Sequence, residues 1–147
     1  MDPRFETGNC AELFADENAR AEEHIEKGDL SEAARILVNI VEQDPRNWRA
    51  FNNMGLISWN RKAWEDAYSM FGKAASLKPD FGDALINLFD AAIKLRRALE
   101  ILPTLDKALF CDPSLEEVKI IADSIREQGE DIYLSERALT IGVYNPK

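Results

Sequence analysis

The chain is poor in the side chains that do most enzymatic chemistry. It holds one histidine and two cysteines in 147 residues. Most metal sites need several His or Cys ligands, and the usual nucleophilic sets need a histidine base, so both are disfavoured from the outset. Basic residues are also scarce: 18 Lys and Arg stand against 27 Asp and Glu, a net charge of −9. Binding to nucleic acid through phosphate neutralisation needs clustered cations, and such binding is not expected. No apolar run approaches the length of a membrane span, the longest cluster lying around Ile36–Val41 and interrupted by Asn39, so direct membrane insertion is not expected. The first twenty residues lack the apolar core of a signal peptide. Cys10 and Cys111 show no framework spacing and read as free thiols of a reducing cytosol, which gives a cytoplasmic expectation.

What is present suffices for a core: 46% of residues are apolar and 31% charged. The length allows one domain or a short array of repeats. Charge is uneven. Residues 1–46 carry five basic and twelve acidic side chains, whereas 47–81 carry five and three. An acidic end beside a near-neutral middle could steer a basic partner or simply be a solvated face.

Internal repetition organises the chain. Pro45, Pro79 and Pro113 are 34 residues apart, and Pro146 follows 33 later. Twelve residues before each proline stand Ala33, Ala67, Ile101 and Leu134; eight before, Leu37, Phe71, Leu105 and Ala138; five before, Ile40, Ala74, Ala108 and Ile141. Spacings of four and three put these on one helical face. A second apolar stripe precedes it, with Ala21, Gly55, Phe89 and Ala122 twenty-four residues before the prolines. A small residue there allows close approach of the partner helix. Gly28 and Gly129 fall between the two helices of a unit, where a tight turn is needed. The division is a tail at 1–13 and a domain at 14–147 with units 14–47, 48–81, 82–114 and 115–147.

This helix–turn–helix unit resembles the tetratricopeptide repeat. Ala50–Pro79 is the best match, with Phe51, Met54, Gly55, Ala67, Phe71, Ala74, Leu77 and Pro79 at the family's positions. The resemblance implies an all-α fold, a right-handed α-solenoid of antiparallel helix pairs whose first helices line a concave groove. Some departures have structural consequences. Glu17 and Arg20 are polar where unit one should be apolar, as an end unit facing water would be. Phe89 replaces a small residue, so its helix pair should sit further apart or be rotated. Pro103 falls in the first turn of a helix expected to start near Ala98 or Leu99, where it is tolerated. The residue missing after Pro113 should shorten an inter-unit turn.

The resemblance also implies which side chains face the groove. They are Asn18 and Glu22 in unit one; Arg49, Asn52, Asn53, Leu56, Trp59 and Asn60 in unit two; and Asn87, Asp90 and Lys94 in unit three. Asn53 and Asn87 should stack and could hold a peptide backbone, resembling the asparagine ladder of arrays attached to glycosyltransferases; the alternative is that both are merely solvated. Trp59 would be an aromatic anchor, whereas Trp48 and Trp64 fall near turns and read as packing residues. His24 reads as structural, and the Glu22, Glu23 and Glu26 cluster as a solvated face without a fourth ligand for a metal. Arrays that clamp acidic chaperone tails carry Lys and Asn in the first unit, Asn in the second, and Lys and Arg in the third, at positions that are Asn18, Glu22, Asn53, Asp83 and Asn87 here. Only Asn53 matches, so such tails should not bind.

The leading functional expectation is a protein–protein interaction scaffold that binds a peptide or partner helix without a cofactor or metal. One alternative is a self-assembling module, a homo-oligomer formed through an uncapped carboxyl-terminal end. Another is the substrate-recruiting segment of a larger bacterial glycosyltransferase- or methyltransferase-type protein. Catalysis within these residues is not expected, since no phosphate loop, ligand cluster or nucleophile–base pair can be assembled.

Overall fold

A computed structural model describes residues 13–134. Seven α-helices follow one another: α1 (Ala15–Glu26), α2 (Leu30–Gln43), α3 (Trp48–Asn60), α4 (Trp64–Leu77), α5 (Gly82–Leu95), α6 (Leu102–Cys111) and α7 (Glu116–Gln128). Short 3-10 segments lie at Ala98–Ile101 and Gly129–Tyr133. There is no strand among the described residues, and no helix is long and apolar enough to cross a membrane. Successive helices pack as neighbours, α1 on α2, α2 on α3, α3 on α4 and α4 on α5, which is the all-α solenoid arrangement. First helices also meet across units, α1 on α3 and α5 on α7, while α3 and α5 touch only marginally.

Shape complementarity within each pair follows the repeat alignment. The Phe71 ring occupies the space above Gly55 so closely that a Cβ there would lie 2.4 Å from the ring. In unit one the same two positions are Ala21 and Leu37, both wholly buried, so a slightly larger residue on the first helix faces a smaller one on the second. Unit three has Phe89 at the small position, 3% exposed. There α5 meets α6 only marginally and packs instead on the 3-10 segment and α7, so the pair stands apart as the bulk of Phe89 requires. Unit four fills the opening: the Tyr133 hydroxyl accepts the Ala98 amide at 2.8 Å, and the Arg96 guanidinium lies 4.7 Å from the Tyr133 ring centre.

The turns repeat as faithfully as the helices. Gly28, Lys62 and Arg96 are 34 residues apart, and all have positive φ (82°, 61° and 59°). In each case the following amide reaches back five residues: Asp29 to His24, Ala63 to Ser58, and Arg97 to Ala92. This closure of a helix end demands a left-handed residue. Only Gly28 supplies it without strain, and nothing in the residue types of Lys62 and Arg96 announces the same conformation. Between units, Asp44–Asn47, Lys78–Phe81 and Asp112–Leu115 close identical turns around Pro45, Pro79 and Pro113 through amide-to-carbonyl bonds of 3.1, 3.0 and 3.3 Å.

Three expectations are corrected. The turn after Pro113 keeps its four residues, and the missing residue is taken from the first turn of α7. Burial of Val118, Ile121, Ala122 and Ile125 keeps the 33-residue offset from Leu85, Leu88, Phe89 and Ala92. The helix containing Pro103 begins at Leu102 rather than near Ala98, because the preceding turn is 3-10. Leu134, aligned with the buried Ala33, Ala67 and Ile101, is 78% exposed, and Ile132 and Tyr133 are buried instead. Ala138, Ile141, Pro146, the tail with Cys10, and the carboxyl-terminal end invoked for self-assembly lie outside the described residues.

Two substitutions test this packing. Gly55→Ala should destabilise the fold by about 1–3 kcal/mol through overpacking; adding Phe71→Leu, which copies unit one, should recover most of that loss in urea unfolding. Lys62→Gly relieves left-handed strain and should stabilise by about 0.5–1 kcal/mol in the same assay.

Candidate binding cleft

A cleft of about 540 Å³ opens along the first helices. Glu22, Ile25 and Glu26 of α1 form one wall, and Trp48, Arg49, Asn52, Asn53 and Leu56 of α3 form the floor. Phe81 and Asp83 at the start of α5 close the far side. Trp48 packs edge-on against Phe81 with ring centres 4.7 Å apart. The aromatic wall thus depends on the inter-unit turn that sets α5 next to α3.

Beneath the floor runs a buried polar seam. Asn47 caps α3 by accepting the Ala50 amide at 3.0 Å, and it also accepts from the Asn18 side chain at 3.1 Å. Its own amide donates to Asp44 at 3.1 Å. Asn53 donates to Asn18 at 3.1 Å and to Glu22 at 2.9 Å. Arg49 grips Glu22 through two parallel bonds of 2.8 Å. Asn18, Asn47, Asn53 and Asp44 are all at most 3% exposed, and no fully buried side-chain polar atom among the described residues lacks a partner. Burial pushes the Glu22 carboxyl up, but the bonds from Arg49 and Asn53 and the Arg49 charge outweigh it, leaving its pKa below the ordinary value.

This geometry differs from the expected asparagine ladder. Asn53 does not stack on Asn87. Asn53 pairs with Asn18, and Asn87 donates to Asn52 at 3.1 Å, each pair separated by 35 positions rather than 34. The offset between neighbouring helices sets a residue against one a position out of register, and the Asn53 amide is turned inward onto protein acceptors. The groove is also not as neutral as the sequence suggested. Glu22 matches the Arg49 charge, while Glu26 and Asp83 meet no cation within ion-pair distance among the described residues.

The structure therefore brings Glu22, Arg49, Asn52, Asn53 and Leu56 to the cleft and places Asn18 in the seam below. Trp59 lies elsewhere, packed edge-on to Trp64 at 4.8 Å and against the larger core cluster. Asn60 is exposed and donates to the Leu56 carbonyl at 2.8 Å. Lys94 sits 5.3 Å over the Trp64 ring. Ile25, Trp48 and Phe81 were not among the expected groove residues. Trp48 and Phe81 stand at or beside helix starts, where helical periodicity carries no information about facing, and Trp48 both packs and lines the cleft. His24 lies 3.2 Å from Asp29 near the end of α1.

Asp90 on α5 is half-buried, and burial pushes its pKa up to about 6, only partly opposed by the Lys94 charge. A carboxyl whose pKa is higher folded than unfolded binds protons preferentially in the folded state. Its favourable contribution is complete below the unfolded value of 3.8 and is lost as pH rises through about 6. Asp90→Asn should therefore raise stability at pH 7 by on the order of 2 kcal/mol. It should also flatten the dependence of the unfolding midpoint between those two pH values, measured by urea titration.

No family model matches the chain. Part of it is similar to Protein O-mannosyl-transferase Tmtc3 of Drosophila melanogaster, with 30% identity over 87 residues. That stretch covers 56% of this chain but 9% of the relative. The similarity and the paired helices together support a repeat-type helical module.

Proposed function

We propose that this chain is a tetratricopeptide-type interaction module that binds an extended peptide or a partner helix in the cleft between α1, α3 and α5. The carrying observation is the cleft itself. Apolar and aromatic side chains (Leu56, Ile25, Trp48, Phe81) line it beside polar groups on its floor and rim, over a seam whose buried polar atoms are all paired. Concave sites of this make-up favour ligand binding, because apolar area supplies affinity and a few fixed polar groups supply orientation. Selection of peptides from a random dodecapeptide library tests the reading. Leu56→Arg should weaken the selected peptides by at least about tenfold, as loss of a central apolar contact does. Val38→Arg, on the exposed face of α2, should leave binding unchanged. Retained binding by a folded Leu56→Arg protein, checked by its unfolding midpoint, would overturn the proposal.

The similarity to part of a protein named an O-mannosyl-transferase favours a compatible second reading, that the module recruits substrate for a catalytic region encoded in the same, longer gene product. A full-length transcript encoding a transferase domain supports it, and a transcript without one refutes it.

A further inference from the structure

The cleft is selective in charge as well as shape, and two independent features say for what. The first is the pair of acids at its mouth. Glu22 is tied to Arg49 by two 2.8 Å bonds, so Arg49, the cation among the described residues that line the cleft, is matched. Glu26 and Asp83 remain, both exposed and on opposite walls, α1 and α5. The second feature is Asn52. It is 7% exposed and lines the cleft, and its carbonyl accepts from Asn87. Its Nδ2 has no acceptor among the described residues, yet no fully buried side-chain polar atom there goes unsatisfied, so this nitrogen is not fully buried, and the pocket that Asn52 lines is the cleft. A free donor on the floor asks for a carbonyl oxygen, and free carboxylates at the rim ask for cations.

Resting on the interaction-module reading, we propose that the occupant is an extended basic peptide segment. One of its backbone carbonyls accepts from Asn52, and its Lys or Arg side chains reach Glu26 and Asp83. The aliphatic stems of those side chains lie along Trp48 and Phe81, the way long cationic side chains cover apolar surface while keeping the charge in water. An acidic segment would meet two carboxylates without an ion-pair partner, while among the described residues the cations beside the cleft, Arg49 and Lys78, are held by Glu22 and Asp80.

Fluorescence anisotropy with three labelled dodecapeptides, four repeats each of Lys-Ser-Ala, Gln-Ser-Ala and Glu-Ser-Ala, tests this. The lysine peptide should bind about tenfold tighter than the glutamine peptide, weaken with salt, and leave the glutamate peptide without measurable binding. The double variant Glu26→Lys/Asp83→Lys should lose about tenfold for the lysine peptide and flatten its salt dependence. Glu42→Lys/Glu100→Lys makes the same net-charge change outside the cleft and should leave the affinity within about twofold, because exposed charges beyond a Debye length are screened. Asn52→Ala should weaken the lysine peptide without altering its salt dependence. Equal binding of the lysine and glutamine peptides, both abolished by Leu56→Arg, would sink the charge preference and leave the interaction module standing. Lysine-peptide binding indifferent to Leu56→Arg and to both rim reversals would remove both. Glutamate-peptide binding as tight as lysine, or no lysine-peptide binding at millimolar concentration, would overturn the inference.

Discussion

The chain of hydrogen bonds from Asp44 through Asn47 and Asn18 to Asn53, Glu22 and Arg49 is the constraint on which the first half of the molecule depends. Asp44, Asn47, Asn18 and Asn53 are taken out of water, and a buried polar group left unpaired costs about 1–3 kcal/mol. They satisfy one another only when α1 and α3 sit at one angle and one register. An apolar interface of the same area would tolerate slippage; a chain of amides does not, because a shift by one residue leaves several donors and acceptors alone at once. The apolar core falls into two clusters. One joins α1, α2 and α3; the other begins at Ala67 and runs through α5 to Tyr133.

The cleft follows from that seam. With α3 fixed to α1, the Pro79 turn sets α5 on the far side, and the Asn87–Asn52 bond and the Trp48–Phe81 contact span from α3 to it. Arg49 would be a free cation on the floor but for Glu22, and their pairing changes the electrostatic character of the site. In units three and four, spacing is set by volume. Phe89 holds α5 away from α6, and Tyr133 occupies the opening, so the repeat is kept while its geometry varies.

The sequence alone determined the helix pairs, the places of the turns and the apolar faces. Proline spacing, the small position and the 3.6-residue stripes are local properties, each readable within one unit because side-chain periodicity follows from backbone geometry. The close approach allowed at Gly55 and the displacement expected at Phe89 were legible for the same reason. Tertiary structure decided which polar residues face solvent. Asn18, Asn52, Asn53 and Asn87 have the same chemistry in one dimension. Whether an amide points at a ligand or at another amide depends on a helix some 35 residues away and on an offset of one position between neighbouring units. It likewise decided that Arg49 is neutralised, that Trp59 packs on Trp64, and that Trp48 and Phe81 wall the cleft. Helix starts and inter-helix offsets are set by packing across units, which no single repeat encodes.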